Sequence, residues 1–216
     1  MTKKRTGQAA LKDGQGALNE KSGTDRPAPS ISTSAGTVGA PGRTWTDGAD
    51  LRGIKAKGVR LPGVSLVGAS LIGARLKRSV LDGADLTGAD LSGARLARAS
   101  LVGVRAPAAT LVAAAIRRAD LTSADLAGTK LDYADLSQAT ARSATLTGAS
   151  LLGANLHRAD LRKADLRGAI LRKATLTEAD LRGADLRGAD LRDTWLTGAD
   201  LRGVLDDEDT IWPQGR

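Results

Sequence analysis

The chain has 216 residues and a formal net charge of +8, with 32 Lys and Arg against 24 Asp and Glu. It contains no Cys, which excludes a disulfide framework, a thiolate nucleophile and a cysteine metal site. No apolar run approaches the ~20 residues that a membrane-spanning helix needs. We therefore predict a protein without cofactor or metal, located in the cytoplasm and with no membrane partner.

Residues 1–44 form a separate segment that follows no repeat. Gly, Ser, Thr, Ala and Pro dominate it, and seven Lys and Arg against three Asp and Glu give it a net charge of +4. Such a composition buries too little apolar surface to offset the entropy of folding, so we predict a disordered basic tail. A solubilising tail and an electrostatic tether to nucleic acid are two interpretations of this charge.

The next segment, from Ala49 to Gly203, is one five-residue unit written 31 times without a change of frame. Leu or Ile occupies 28 of the 31 central positions, and Ala occupies 24 of the 31 positions two residues earlier. These spacings make no stripe on a helix, whereas Ala and Leu point to the same side of a short extended segment. We name the five positions inward Ala, outward, inward Leu, first corner and second corner.

The remaining positions of the unit indicate how the chain turns. The outward position is usually polar and often Asp, and the second corner is often Gly, which tolerates the φ values of tight corners. A single unit cannot bury its own Leu, although each buried Leu contributes roughly 1.5–3 kcal/mol. Units must therefore stack on one another, and an internal repeat of this kind predicts a solenoid.

The unit resembles that of the pentapeptide-repeat family, Ala-(Asp/Asn)-Leu-X-X, as in Ala84–Gly88 and Ala184–Gly188. The resemblance implies an all-β solenoid, a right-handed quadrilateral parallel β-helix with four units per coil and nearly eight coils. This β-helix would occupy residues 45–204, after the disordered tail and before a short cap at residues 205–216. Residues 20 apart in sequence would then stack on successive coils.

The two ends of a solenoid expose apolar side chains and need caps. We predict that Trp45 covers the first coil and that Ile211 and Trp212 cover the last. Trp195 stands at an outward position normally held by Asp, and we expect it to pack against the C-terminal segment. Relatives often dimerise through this end, so the resemblance also implies a homodimer as an alternative to a monomer.

Stacking at 20 residues also predicts surface columns that a partner would meet. Asp columns run beside the Arg columns, so the Arg side chains either neutralise the Asp or bind phosphate or carboxylate groups of a partner. A strip of outward apolar residues on one side is a second candidate partner surface. The Arg columns are Arg142, Arg162, Arg182 and Arg202; Arg167 and Arg187; and Arg172 and Arg192; the apolar strip is Ile72, Val112 and Leu152.

No residues of this sequence make a convincing catalytic site. His157 is the only His, with no Cys or second His to complete a triad or a metal set. An interior filled with Ala and Leu also leaves no concave pocket for a substrate. The leading prediction is a non-catalytic structural or interaction module that binds a macromolecular partner, expected to be a protein, through its flat faces.

Two other functions remain open. The resemblance implies a DNA-mimicking inhibitor or protector of DNA gyrase that gives quinolone tolerance, the role of acidic rods in this family. The net charge of +8 opposes mimicry, because a duplex mimic presents a strongly negative surface. The central Leu also departs from the Phe that gyrase-acting members often carry. The second alternative is nucleic-acid binding through the basic tail and the Arg columns.

Overall fold

A computed structural model describes residues 44–214, so the predicted tail lies outside the described residues except for Thr44. Within this range the backbone forms no helix and no strand longer than a single bridged residue. It is held instead by 29 parallel bridges, which run from Asp50 to Ile211. The same range contains no helix long and apolar enough to cross a membrane.

The bridges connect outward residues that lie 20 positions apart, as in the pairing of Asp90 with Thr110. Four units therefore complete one coil, and each coil pairs in parallel with the coil before and the coil after. Every regular unit contributes three inter-coil hydrogen bonds and one bond that closes its corner as a β-turn. In one unit these are Asp90 N–H to Ala69 O (2.9 Å), Leu91 N–H to Thr110 O (2.7 Å), Gly93 N–H to Val112 O (2.9 Å) and Ala94 N–H to Leu91 O (2.9 Å).

The second corner residue has a positive φ at each of the positions from Gly48 to Gly203. A positive φ at the third residue of a β-turn is what a type II turn requires. Gly supplies it at 18 positions, but 14 corners carry another residue with φ between 52° and 61°. This conformation costs a residue with a Cβ about 1–2 kcal/mol. The hydrogen bonds between coils therefore impose the left-handed backbone on residues such as Arg98 and Lys163.

The interior of the rod is built from the inward Ala and Leu positions, which are almost wholly inaccessible to solvent. Ala106, which replaces a central Leu, is also buried. Polar side chains at inward positions are satisfied by the backbone: Thr129 Oγ1 donates to Ala106 O at 2.9 Å, and Thr194 Oγ1 donates to Leu171 O at 2.9 Å. The coils thus form one continuous apolar column in which each rung packs on its neighbours.

The inward position should not tolerate a charge. Leu166 is fully buried, so we expect Leu166→Asp to destabilise the rod by about 4 kcal/mol or more, because it buries an unpaired carboxylate. Thr175→Asp is the matched control, since Thr175 is outward and half-buried; it should change stability by less than about 0.5 kcal/mol. Thermal unfolding followed by circular dichroism measures both, and equal melting temperatures for the two variants would contradict the inward assignment.

Gly→Ala substitutions at two corners should separate the effect of backbone strain from that of steric contact. At Gly88 φ is +63° and an added Cβ would meet nothing within 4 Å, so Gly88→Ala should cost about 1 kcal/mol from backbone strain alone. At Gly153 an added Cβ would lie 2.9 Å from the Tyr133 ring, so Gly153→Ala should lower the melting temperature further. Tyr133→Ala should remove that difference; an unchanged difference would show that the ring does not cause it.

Candidate functional site

One backbone N–H of each unit, that of the first corner residue, has no acceptor in the coil-to-coil ladder. Where the outward residue is Asp, its carboxylate usually accepts this N–H from two residues away. The Ser92 N–H donates to Asp90 Oδ1 at 2.9 Å, and the Thr122 N–H donates to Asp120 Oδ1 at 3.0 Å. Asp at the outward position therefore has a structural function, because it satisfies a main-chain donor that is otherwise left unpaired.

Some units that lack the outward Asp borrow one from the preceding coil. The Val102 N–H donates to Asp82 Oδ1 at 3.1 Å, and the Ser100 hydroxyl donates to the same oxygen at 2.5 Å. The acceptor here stands at a first corner, one coil below the amide that it satisfies. The same arrangement recurs twice: Asp47 accepts from Val67 N–H and Ser65 Oγ, and Asp132 accepts from Leu152 N–H and Ser150 Oγ.

Proline provides another solution at the same position. Pro62 and Pro107 stand at first corners of units whose outward residues are Arg60 and Arg105. Because proline has no N–H, these units have no donor left to satisfy. Both prolines thus occur in units where an outward Arg replaces the Asp that would otherwise accept the first corner N–H.

The predicted Arg columns lie against the Asp columns. In Arg182, Nε and Nη2 donate to the two carboxylate oxygens of Asp180 at 2.8 and 2.7 Å, and Nε also lies 3.5 Å from the Asp200 carboxylate on the next coil. Arg172 forms no ion pair within the described residues, and its Nε is buried without a hydrogen-bond partner. The other predicted Arg residues that pair with Asp are Arg142, Arg162, Arg202, Arg167, Arg187 and Arg192.

These ion pairs keep the Asp carboxylates ionised. Burial by itself would raise the pKa of Asp160, but hydrogen bonds from the guanidinium groups of Arg162 and Arg142 lower that pKa to about 2. The hydrogen bond from Arg202 lowers the pKa of Asp200 to about 2. The stripes of the C-terminal coils are therefore alternating charges that compensate one another.

The predicted apolar strip occupies one column of first corners. Ile72 is 41% exposed, whereas Val112 and Leu152 are half-buried. Ser92 and Asp132 stand between them on the intervening coils, so the strip is interrupted.

The predicted capping residues lie at the two ends of the described rod. Trp45 is buried and belongs to the core, with no hydrogen-bond partner for its Nε1. At the other end Trp212 packs against the core and donates its Nε1 to Asp206 at 2.9 Å. Trp195 is 65% exposed, and Ile211 is exposed although it bridges to Asp190. Ile211 lies one residue beyond the strict frame, so the cap rejoins the ladder through a single extra residue.

The single His of the chain is part of the surface ladder. His157 Nδ1 lies 2.8 Å from Thr177 Oγ1 on the next coil, and the His157 N–H donates to Asn155 Oδ1 at 3.1 Å. Among residues 44–214 no three His, Asp or Glu side chains come together in a way that would hold a metal ion.

The structure brings together a cationic surface that the sequence analysis missed. On one side of the first four coils, nine of the twelve outward and corner positions carry Lys or Arg, and the other three carry Gly or Ala. All nine cationic side chains are exposed. The signal was present in the sequence, because Lys55, Arg75 and Arg95 lie 20 residues apart and bridge in succession. We name this surface the basic face: Lys55, Lys57, Arg75, Lys77, Arg78, Arg95, Arg98, Arg117 and Arg118.

No carboxylate within the described residues neutralises the basic face; its one side-chain hydrogen bond joins Arg118 Nε to Gln138 Oε1 at 2.7 Å. A surface groove of about 520 Å³ runs between its columns, lined by five of the cations together with Ala97 and Ala115. Asp135 ends the basic face on the following coil, where it accepts the Ser137 N–H at 3.0 Å.

The backbone of the basic face is hydrogen-bonded between coils except at its first corners. The first corner N–H groups of Lys57, Lys77, Ala97 and Arg117 have no acceptor in the part of the chain that the structure describes. Lys, Arg or Ala replaces Asp at the outward position of each of these units. The place that a carboxylate oxygen takes elsewhere on the rod is therefore left to an acceptor from outside.

The comparisons with known proteins identify the family. The pentapeptide-repeat family model matches in eight copies over residues 47–83, 79–118, 119–153, 142–177 and 171–203. The chain therefore belongs to the pentapeptide-repeat family, which confirms the predicted resemblance, and a right-handed β-helical solenoid is the fold that this membership implies.

Several solved structures are similar to the chain. HetL, a pentapeptide repeat protein involved in heterocyst differentiation regulation from the cyanobacterium Nostoc sp. strain PCC 7120, is 30% identical over 70% of this chain and 86% of its own, with a TM-score of 0.45. QnrB1, a plasmid-mediated fluoroquinolone resistance protein, is 19% identical over 71% of this chain and 92% of its own, with a TM-score of 0.44. A thylakoid-lumen pentapeptide repeat protein of Arabidopsis thaliana is 35% identical over 41% of this chain and 65% of its own, with a TM-score of 0.26. No curated protein matches the chain.

The Asp–Arg pairs should make the free energy of unfolding decrease at low pH. Their lowered Asp pKa values mean that this stabilisation is complete above the unfolded pKa of about 3.9 and is lost as pH falls toward about 2. We expect the melting temperature to hold from pH 7 to about pH 5 and to fall between about pH 4 and pH 2. A variant with Asp160, Asp180 and Asp200 changed to Asn keeps the side-chain acceptors and should show a smaller fall. An equal fall in both proteins would contradict this assignment.

Proposed function

We propose that this protein is a non-catalytic interaction module that binds a macromolecular partner through a flat face of its β-helix. The observation that supports the proposal is the division of the rod into a filled interior and a patterned surface. Inward Ala and Leu occupy the centre of every coil, and the chemically diverse residues stand in ordered columns outside. Such columns present a large, preformed surface that loses little conformational entropy on binding.

Charge divides the surface into two kinds of face. The Asp and Arg of the C-terminal coils engage each other through short bonds, such as Arg187 Nη2 to Asp185 Oδ2 at 2.5 Å. A partner would have to compete with these pairs. Within residues 44–214 the basic face forms no ion pair, so a partner could bind it without displacing a carboxylate of the described rod. Its sign also favours complementing a polyanion over imitating one, which gives the DNA-mimic alternative no support from charge.

Partner capture with face variants tests this proposal. The full chain is immobilised and exposed to an extract of its source cells, beside three variants that each alter one surface. One changes Lys55, Arg75, Lys77 and Arg95 to Ala, one changes Arg162, Arg182 and Arg202 to Gln, and one changes Ile72, Val112 and Leu152 to Ser. We expect one variant to lose the captured partner while the other two retain it.

Each variant serves as a control for the other two, because all three keep the inward positions unchanged. Melting curves should show that the variants remain folded, and light scattering should report whether any change alters the oligomeric state. If every folded variant retained the same captured macromolecules as the wild type, or if the wild type captured none, binding through a face would be wrong.

A further inference from the structure

We propose that the basic face binds the phosphate backbone of a duplex nucleic acid, without reading its sequence. This inference rests on the proposed function and names its partner class. It differs from the sequence-based alternative, which assigned nucleic-acid binding to the tail and to the Arg columns. In the structure seven of those eight Arg residues pair with Asp, whereas the basic face forms no ion pair with a carboxylate of the described residues.

The charge density of the basic face matches that of a duplex. Its nine cations span four coils, which at a spacing of about 4.8 Å cover roughly 15–20 Å. This gives one positive charge for about every 2 Å, close to the one negative charge per ~1.7 Å of duplex axis. The acidic column of Asp160, Asp180 and Asp200, by comparison, carries only one carboxylate per coil. A partner protein with an acidic column of this density would leave most cations of the basic face unpaired.

Free backbone amides supply a second kind of donor on the basic face, a feature that it shares with first corners elsewhere on the rod such as Ile72 and Val112. In Asp-bearing units the first corner N–H holds a carboxylate oxygen at about 3 Å, as Thr87 holds Asp85 Oδ1 at 3.0 Å. On the basic face the same N–H groups of Lys57, Lys77 and Ala97 have no acceptor in the described chain. Backbone N–H groups and cationic side chains together are the usual donors to phosphate oxygens. The geometry places both kinds of donor along one groove.

The composition of the basic face favours a nucleic-acid backbone over a protein partner or single-stranded bases. Protein interfaces depend on buried aromatic or apolar anchors, and single-stranded nucleic acid is held by stacking on aromatic rings. Neither is present here, because the positions without a cation are Gly58, Ala97 and Ala115. A surface of exposed cations on long side chains, without aromatic or apolar anchors, suits the regular phosphates of a duplex.

Repulsion between the cations of the basic face disfavours folding, so these cations are not there to stabilise the rod. Like charges directly opposite each other on neighbouring strands are destabilising, and Lys55, Arg75 and Arg95 stack on three successive coils. Elsewhere the rod relieves such repulsion with a neighbouring column of opposite charge. Here it does not, so a bound polyanion is what would relieve it.

Fluorescence anisotropy with labelled 20-base-pair DNA and RNA duplexes tests the inference, using the full chain at several salt concentrations. The basic-face variant changes Lys55, Arg75, Lys77 and Arg95 to Ala. We expect about 100-fold weaker binding at 100 mM salt, with the slope of log affinity against log salt reduced by about 3–4. Tighter binding of either duplex identifies the form that the face prefers, and both results support the inference.

The matched control changes Arg60, Lys130, Lys163 and Lys173 to Ala. These four side chains are exposed and form no ion pair in the described residues, so both variants lose the same charge and keep the same tail. We expect less than about 3-fold weaker binding for the control. Equal losses in the two variants would show that net charge or the tail binds the duplex, and this would overturn the inference.

Further arms of the experiment separate other partners. Tighter binding of single strands, equal competition by polyglutamate at the same charge concentration, or binding only to phosphatidylserine vesicles would each overturn the duplex assignment. Wild-type affinity that does not depend on salt would overturn it as well. The basic-face variant should melt no lower than the wild type at low salt; a lower melting temperature would show that these cations stabilise the coils.

The two proposals fail in different ways. If the wild type does not bind either duplex but one face variant loses a captured protein from the extract, the duplex inference is wrong and the interaction module stands. If duplex binding falls only in the basic-face variant, the inference is supported, and the interaction module is supported with it.

Discussion

The backbone amides of this rod impose the constraint on which its other features depend. Three N–H groups of each regular unit bond to neighbouring coils and a fourth closes the corner, which leaves the first corner N–H without a backbone acceptor. An unpaired main-chain donor is costly wherever water is excluded, and in many units the sequence provides an acceptor or removes the donor. Asp at the outward position, Asp from the preceding coil and Pro at the first corner are three solutions to one problem. The frequent Asp at the outward position of this chain is therefore a consequence of the coil geometry.

The charge pattern of the surface follows from that constraint. Once Asp occupies the outward position, it projects a column of like charges along the rod, and an Arg at the first corner of the same unit reaches back to neutralise it, as Arg192 does for Asp190 at 2.6 Å. The Arg columns predicted from the sequence are therefore part of the charge pairing that stabilises the rod. The basic face departs from this pattern, because cations replace Asp at Lys55, Arg75 and Arg95 and no acid compensates them. Uncompensated like charges disfavour folding and contribute nothing to packing, so binding is the simplest explanation for this departure.

Stacking also explains how the rod accepts conformations that isolated residues avoid. Fourteen residues other than Gly adopt positive φ at the second corner, and each pays a conformational free energy that would disfavour this backbone in a short peptide. The inter-coil bonds on either side fix these corners, and the inward Leu beside them packs against the rungs above and below. Stability is accordingly distributed along the rod as contacts between neighbours. Local damage, such as a buried charge at Leu166, should act on the rungs that touch it.

The repeat, its frame, the inward positions of Ala and Leu and the family can be predicted from the amino-acid sequence alone, because a strict five-residue period leaves only one side of each unit apolar. The sequence also offered neutralisation as one interpretation of the Arg columns. Which surface charges meet depends on how the coils stack. Arg182 reaches both Asp180 and Asp200, which lie two and 18 residues away in sequence, whereas Lys77 meets no acid in the described residues. Stacking brings distant units within bonding distance, so the pairing of surface charges is a property of the coils and not of the unit.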